Sequence, residues 1–316
     1  MKQPTPWAAL SLLGRGARDG PVRRCRAPRE ARAATFVGLY GPAMRFGVTL
    51  PPFNEWADPR MIMAMAAEAE AAGWDGFFLW DHISWNPAWG GTPAIADPWI
   101  CLAAAATTTA TVRLGTLVTP LARRRPQKVA REVVSLDHLS GGRAVLGVGL
   151  GEPFEFQAFG QAAHRRGAHL DEALTVLTGL FSGQPVDFEG EHLSVHCPPA
   201  LPRPVNGTLP IWVGGWWPNT RPFVRAARYD GVVPGKLGAE RGEVLTLDDF
   251  AAIRALIGRA DNYEYVASGT TTSPADNGAV SRWHAAGATW WLESLHPFAD
   301  SESMHDRLRA GPPHLG

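Results

Sequence analysis

The sequence predicts an α/β protein, a closed (β/α)8 barrel, and three observations predict it. From Met44 onward, short apolar segments rich in β-branched and aromatic residues alternate with helical ones, the pattern of parallel strands covered by helices. Eight strand–helix units can be counted, which is what a closed barrel needs. No Pro-, Gly- or Ser-rich linker divides the chain after Met44. A doubly wound sheet would need fewer strands or a second domain. One barrel domain over residues 44–316 is therefore expected.

The first strand is RFGVTL (Arg45–Leu50). In DPRMIMAMAAEAEAAG, Asp58 suits a helix N-cap, Pro59 the first turn and Gly73 the stop. GFFLW (Gly76–Trp80) is the second strand, and Asp97 caps PWICLAAAATTT, a helix weakened by its last threonines. RLGTLV (Arg113–Val118) is the third strand, followed by a helix from Pro126 that ends at glycine. RAVLGVG (Arg143–Gly149) is the fourth. After a longer insertion, AHLDEALTVLTGLFSG places leucines and valine at helical spacing. VDFEGEHLSVH reads as a hairpin turning near Glu189 and Gly190. LPIWVGG (Leu209–Gly215) is the fifth barrel strand, and Thr220 is the candidate cap of TRPFVRAARY. GVVP (Gly231–Pro234), YEYVASG (Tyr263–Gly269) and ATWWLES (Ala288–Ser294) complete the eight. Helices are expected in TLDDFAAIRALIGR, from Asp276 or Asn277 to Ala286, and in DSESMHDRLRAG.

Composition excludes several classes. The apolar fraction of 45% and charged fraction of 19% suit a folded core rather than a disordered chain. The formal net charge is zero, but residues 1–35 carry +6 and the remainder −6. Beyond that first segment there is no basic stripe for nucleic acid. Cys25, Cys101 and Cys197 are odd in number and far apart, which argues against a disulfide framework and for a reducing, cytoplasmic compartment. The Arg-rich residues 1–43 have neither helix nor strand period. WAALSLL is too short for the roughly 20 residues of a bilayer span, and its arginines follow it, the wrong order for export. The expectation is a disordered extension, with Met44 as an alternative start and no membrane partner.

The stretch GWDGFFLWDHISW ends a buried strand in Trp80, Asp81 and His82. In a (β/α)8 barrel the active site lies at the C-terminal strand ends, so this pair is expected at the mouth. His82 suits proton transfer near neutral pH, and Asp81 could orient a ring. Asp and His also cap and turn chains without any chemistry. LGVGLG holds Gly147, Gly149 and Gly151, but Glu152 and Pro153 intervene before any helix, so a dinucleotide loop is rejected. A tight strand end and a backbone wall beside a ligand are expected instead. In WVGGWWPNTRP, Gly214 and Gly215 are expected to end a strand, with backbone N–H groups cradling a phosphate and Arg221 adding charge. A plain glycine turn is the alternative. Arg123, Arg124 and Arg125 read as a solvated rim or the holder of an anionic tail. Trp80, Trp85, Trp89, Trp212, Trp216, Trp217, Trp290 and Trp291 fall near strand ends and could fill the barrel or flank a flat ligand. Glu293 is a further ionisable group to watch. Paired carboxylates for glycoside hydrolysis, GxSxG and HExxH are absent, and no metal set is expected.

The segments MRFGVTLP, AEAAGWDGFFLWDH, VRLGTLVTPLARRRPQKVAREVVSLDHLSGGRAVLGVGLG, LDEAL, LPIWVGG and RAARYDGVV together resemble the bacterial-luciferase-like superfamily of flavin- and coenzyme F420-dependent oxidoreductases. The resemblance runs from Met44 to Ser294 and leaves out the first 43 residues. It implies a TIM barrel with insertions and an isoalloxazine-type ring beside Asp81 and His82. It also implies a non-prolyl cis peptide at Leu117-Val118 behind that ring, with Thr116 and Gly149 in the same region and Gly214 and Gly215 on the phosphate. GTLVTPLARRRP and WDH are closer to the F420-using branch, in which His82 would be the proton partner of a hydride transfer to or from a small organic substrate. The alternatives are an FMN monooxygenase using reduced flavin and O2, and a non-catalytic flavin-binding protein. Family resemblance further implies a homodimer and a flavin or F420 reductase as partner.

Overall fold

The computed structural model describes residues 44–86, 91–239, 243–259, 262–295 and 301–315. The expectation for residues 1–43, and Trp89, lie outside these.

The strands in chain order are β1 (Arg45–Leu50), β2 (Gly76–Leu79), β3 (Arg113–Pro120), β4 (Ala144–Gly149), β5 (Val186–Glu189), β6 (Ser194–Cys197), β7 (Ile211–Trp217), β8 (Gly231–Lys236), β9 (Glu264–Gly269) and β10 (Trp290–Ser294). Eight of them close into a barrel in the order β1-β10-β9-β8-β7-β4-β3-β2, while β5 and β6 form the separate hairpin. All the barrel pairings are parallel. The helices are α1 (Pro59–Ala71), α2 (Pro98–Ala106), α3 (Pro126–Ser140), α4 (Pro153–Ala158), α5 (Arg166–Ser182), α6 (Arg221–Ala226), α7 (Leu247–Ile257), α8 (Gly278–Ala285) and α9 (Ser301–Arg309).

Strand alternation sorts side chains to the two sides of the barrel wall. Phe78, Val145, Trp212, Val266, Trp290 and Leu292 form the inner cluster. Their neighbours Phe77, Leu146, Val213, Tyr265 and Trp291 join the outer core under the helices. The inner aromatics fit because small residues face them. A Cβ on Gly76 would lie 2.5 Å from the Phe78 ring, and one on Gly231 2.6 Å from Trp212. This small-against-large filling plugs the barrel. It also decides between the two tryptophan readings for several of these residues. Trp212 and Trp290 are plug residues, Trp291 faces the helices, and Trp217 packs on Phe223 of α6 at 5.8 Å.

Helix starts follow the expected chemistry in places. Asp58 accepts from the Arg60 backbone N–H, and Asp97 from those of Trp99 and Ile100. Gly141 closes α3 in the left-handed region at φ 68°. Thr246 and Asp249 form a reciprocal capping box at α7. Thr220 and Asn277 occupy cap positions, yet neither side chain makes a cap bond. Three sequence expectations need correction here. Strand β7 runs on to Trp217, so Gly214 and Gly215 lie inside it, paired with Val233 and Pro234 of β8. Helix α6 stops at Ala226 rather than reaching Tyr229. A short helix, α4, opens at Pro153, where only loop was expected.

Glu70 on α1 clamps the approach to β3 by accepting from the backbone N–H groups of Ala110, Thr111 and Val112. Burial works to raise its pKa, but these bonds prevail and lower it from 4.5 to about 2. The folded value is the depressed one, so this stabilisation is present above 4.5 and is lost as pH falls toward about 2. The thermal midpoints of wild type and Glu70→Gln are therefore expected to differ near neutrality and to converge over that window. A Cβ on Gly115 would sit 2.1 Å from the Val145 carbonyl oxygen, a backbone atom that cannot swing away. Gly115→Ala is expected to cost about 2–3 kcal/mol in chemical denaturation.

Candidate active site

Beyond β2 the chain stays beside β1 for one more residue, through Trp80 N–H to Leu50 O at 3.1 Å. It then turns around Phe53, which is wholly buried. The Phe53 ring lies 6.5 Å from Trp80, 6.0 Å from His82 and 5.5 Å from Trp85. That aromatic packing sets the plane in which the His82 imidazole can sit. The His82 side chain keeps 20% of its surface exposed, and its Nδ1 lies 3.3 Å from Glu155 Oε1.

Glu155 projects from α4 and is fully buried. The same Oε1 accepts from the backbone N–H of Ile83 at 2.7 Å and of Ser84 at 3.3 Å. Burial works to raise the Glu155 carboxyl. The bonds from His82 and Ile83 and the Arg123 charge outweigh it and hold the group below the usual carboxylate range.

The Asp81 carboxylate is not open to the mouth, contrary to the sequence expectation that it would be reachable there. Its side chain is wholly buried. It accepts from Thr119 Oγ1 at 2.9 Å and from Arg124 Nη2 at 2.7 Å. Arg123 bridges the two acids at 3.7 Å from each, Nη2 toward Asp81 and Nε toward Glu155. Burial lowers the Arg123 pKa, although Glu155 and Asp81 oppose it. Burial also acts against Arg124, but Asp81 prevails and raises it. Arg123 and Arg124 are therefore not a solvated rim: they are the counter-charges of two buried carboxylates. Arg125 alone of the three is exposed, at the cap of α3.

The Leu117-Val118 peptide is cis, and the β3–β4 register shifts between Thr116 and Thr119. Both side chains remain half-buried. Val118 lies in a glycine cradle: a Cβ on Gly149 would meet its Cγ2 at 2.4 Å, and one on Gly214 its Cγ1 at 3.0 Å. Gly147 makes room for Leu117, whose Cδ2 would be 2.6 Å from an added Cβ. Thr116 is fully buried beneath this floor. Its hydroxyl pairs with that of Thr119 at 2.8 Å, and Thr119 in turn donates to Asp81. The floor, the acid and the imidazole thus form one connected assembly.

Other candidates lie elsewhere. Gly215 faces α6, where its Cβ would be 2.5 Å from Pro222, and Arg221 is exposed at that helix start. Glu293 is buried on the helical side. It accepts from Trp291 Nε1 and Thr271 Oγ1 and pairs with Arg307 of α9 at 3.3 Å. A separate cavity of about 210 Å³ at the strand starts is lined by Arg45, Arg113, Asp230 and Glu264 and by the plug residues Trp212 and Trp290. Among the described residues no cluster of three or more His, Cys, Asp or Glu could hold a metal, and no helix is long and apolar enough to cross a membrane.

Glu155 was missed at the sequence level. Pro153 in the first turn with an acidic residue following is a helix-start signal that could have found α4. Nothing local says that this acid meets a histidine 73 positions away.

A model of the luciferase-like monooxygenase family matches residues 44–312. The chain belongs to that family. Among curated relatives, an F420-dependent glucose-6-phosphate dehydrogenase of Beutenbergia cavernae is 36% identical over 166 residues, 51% of this chain and 48% of the relative. An F420-dependent hydroxymycolic acid dehydrogenase of Mycobacterium tuberculosis is 32% identical over 245 residues, 68% of this chain and 66% of that one. The chain spans about half the length of the glucose-6-phosphate dehydrogenases it matches. Among solved structures, the F420-dependent tetrahydromethanopterin reductase of Methanopyrus kandleri superposes with a TM-score of 0.65 at 16% identity, covering 85% of this chain and 98% of its own. A monooxygenase of Streptomyces bottropensis gives 0.67 at 19%, covering 84% and 97%. At those identities the likeness is one of fold, and it agrees with the luciferase-like barrel.

Removing one acid of the buried cluster leaves a cation without its counter-charge. Asp81→Asn is expected to cost about 3 kcal/mol in urea or guanidinium unfolding. A change near zero would mean that Arg124 is solvated rather than paired.

Proposed function

We propose that this member of the luciferase-like family is a coenzyme F420-dependent oxidoreductase, with residues 44–316 as its catalytic domain. It would transfer a hydride between the deazaflavin and a small organic substrate, with His82 as the proton partner. The observation that carries the reading is one assembly at the barrel mouth. A half-buried imidazole, held on one nitrogen, is linked through Glu155, Arg123, Asp81 and Thr119 to the apolar Leu117-Val118 floor in its glycine cradle. A flat, largely apolar ring with polar edges fits such a floor. Thr49 Oγ1, a buried hydroxyl on β1 without a partner among the described residues, adds an uncommitted polar group. When bound, the cofactor supplies the two-electron chemistry.

The residues of the chain do the rest. Leu117, Val118, Gly149 and Gly214 would support the ring, with Thr116 beneath them. Asp81 acts on the site through Thr119 and Arg124 rather than by direct contact. Arg221 and the backbone near Gly215 would meet the anionic part of the cofactor. His82 would exchange the substrate's proton. The names of the curated relatives favour F420. The family's own description favours the second reading, an FMN monooxygenase using reduced flavin and O2. A homodimer, a reductase partner and a cytoplasmic setting complete the proposal.

Side-by-side titration with F420 and FMN tests it. Saturable F420 binding with weak FMN binding is the expected outcome. Tight FMN binding without F420 binding would overturn the F420 reading. His82→Ala is expected to keep cofactor binding and lose about 100-fold or more in turnover. Unchanged turnover would remove His82 from the chemistry.

A further inference from the structure

We propose that Glu155 is a positioning residue that fixes the tautomer of His82, keeping the proton on Nδ1 and presenting the Nε2 lone pair to the mouth. The use made of that lone pair rests on the function proposed above; the tautomer itself does not.

The assignment follows from a count of donors and acceptors. Glu155 Oε1 already accepts the Ile83 and Ser84 backbone N–H groups, which leaves no place on that oxygen for a proton of its own. An oxygen that can only accept requires its third neighbour, His82 Nδ1 at 3.3 Å, to be a donor. The neutral imidazole then has its acceptor at Nε2. Among the described residues Nε2 has no partner, while the side chain retains 20% of its surface.

The groups facing the cluster are the two cations Arg123 and Arg124 and the two acids Asp81 and Glu155, which compensate one another. Asp97, half-exposed and 3.6 Å from Arg124, and Glu132 of α3, which also acts on Arg124, are further acids nearby. Phe53 and Trp80 pack on the imidazole and add no charge. A proton arriving at Nε2 converts the ring to imidazolium, and Glu155 is the buried anion placed to stabilise it. In that step the substrate's O–H bond breaks, its electron pair stays on oxygen and the proton forms the new N–H bond. Burial gives Glu155 a single orientation, and the two backbone donors hold it there. The residue therefore acts through His82 without touching the substrate.

The test reads the nitrogens directly. In protein with 15N-labelled histidine, at a pH where His82 is neutral, Nδ1 is expected to give the shift of a protonated nitrogen and Nε2 that of a bare one. Glu155→Gln keeps an acceptor oxygen in place, so it is expected to preserve this pattern. It should lower kcat about tenfold while KM stays within about twofold, because a charge has been lost behind the ring. Glu155→Ala is expected to release the tautomer, with the two shifts converging or exchanging. A protonated Nε2 in the wild type, or an unchanged pattern in a folded Glu155→Ala, would overturn the proposal. The expected pattern in a chain that binds neither F420 nor FMN would uphold this assignment and sink the cofactor reading instead.

Discussion

The candidate site depends on a buried group of four charges. Asp81 and Glu155 are wholly buried, and two adjacent arginines from the loop after β3 neutralise them. Buried ions are costly unless they are paired, and here pairing carries the group, since Arg123 Nε and Nη2, Arg124 Nε and Glu155 Oε2 have no hydrogen-bond partner among the described residues. That requirement fixes more than the ions themselves. It draws the end of β2, the loop after β3 and the short helix after β4 to one place. Three elements far apart in sequence are thereby held in one arrangement, and His82 sits where they meet.

The floor of the site is held by steric rather than electrostatic means. Thr116 to Thr119 depart from the ladder, and the space they need is left by glycines on β4 and β7. Gly149 and Gly214 are therefore close-packing positions around Val118. The hydroxyl link from Thr119 to Asp81 joins this floor to the charge cluster. The plug of Phe78, Trp212 and Trp290 further down the barrel separates the mouth from the strand starts. This division suits a fold in which stability and chemistry occupy opposite ends.

The eight barrel strands were legible because a strand buried on both faces reads as a short apolar run, and the helix between each pair announces itself by periodicity. Asp58, Asp97 and Gly141 mark helix boundaries through local hydrogen bonding and backbone freedom, so they too could be read from the chain. Gly214 and Gly215 misled because a glycine pair resembles a strand end. The strand continues through them, since Val118 and Pro222 occupy the space that side chains would have needed. Glu293 misled for a related reason. Its place at a strand end was visible, but its phase turns it toward Arg307 and the helices.

By itself the sequence determined the barrel, the position of Asp81 and His82 after its second strand, and the family to which the chain belongs. These are consequences of local periodicity and short motifs, and each can be judged within a window of about 10–20 residues. Only the tertiary structure decided that Asp81 is sealed, that Arg123 and Arg124 are its counter-charges, and that Glu155 holds His82. The physical reason is that burial and pairing are properties of converging strand ends. A carboxylate reads the same in sequence whether water or a guanidinium faces it.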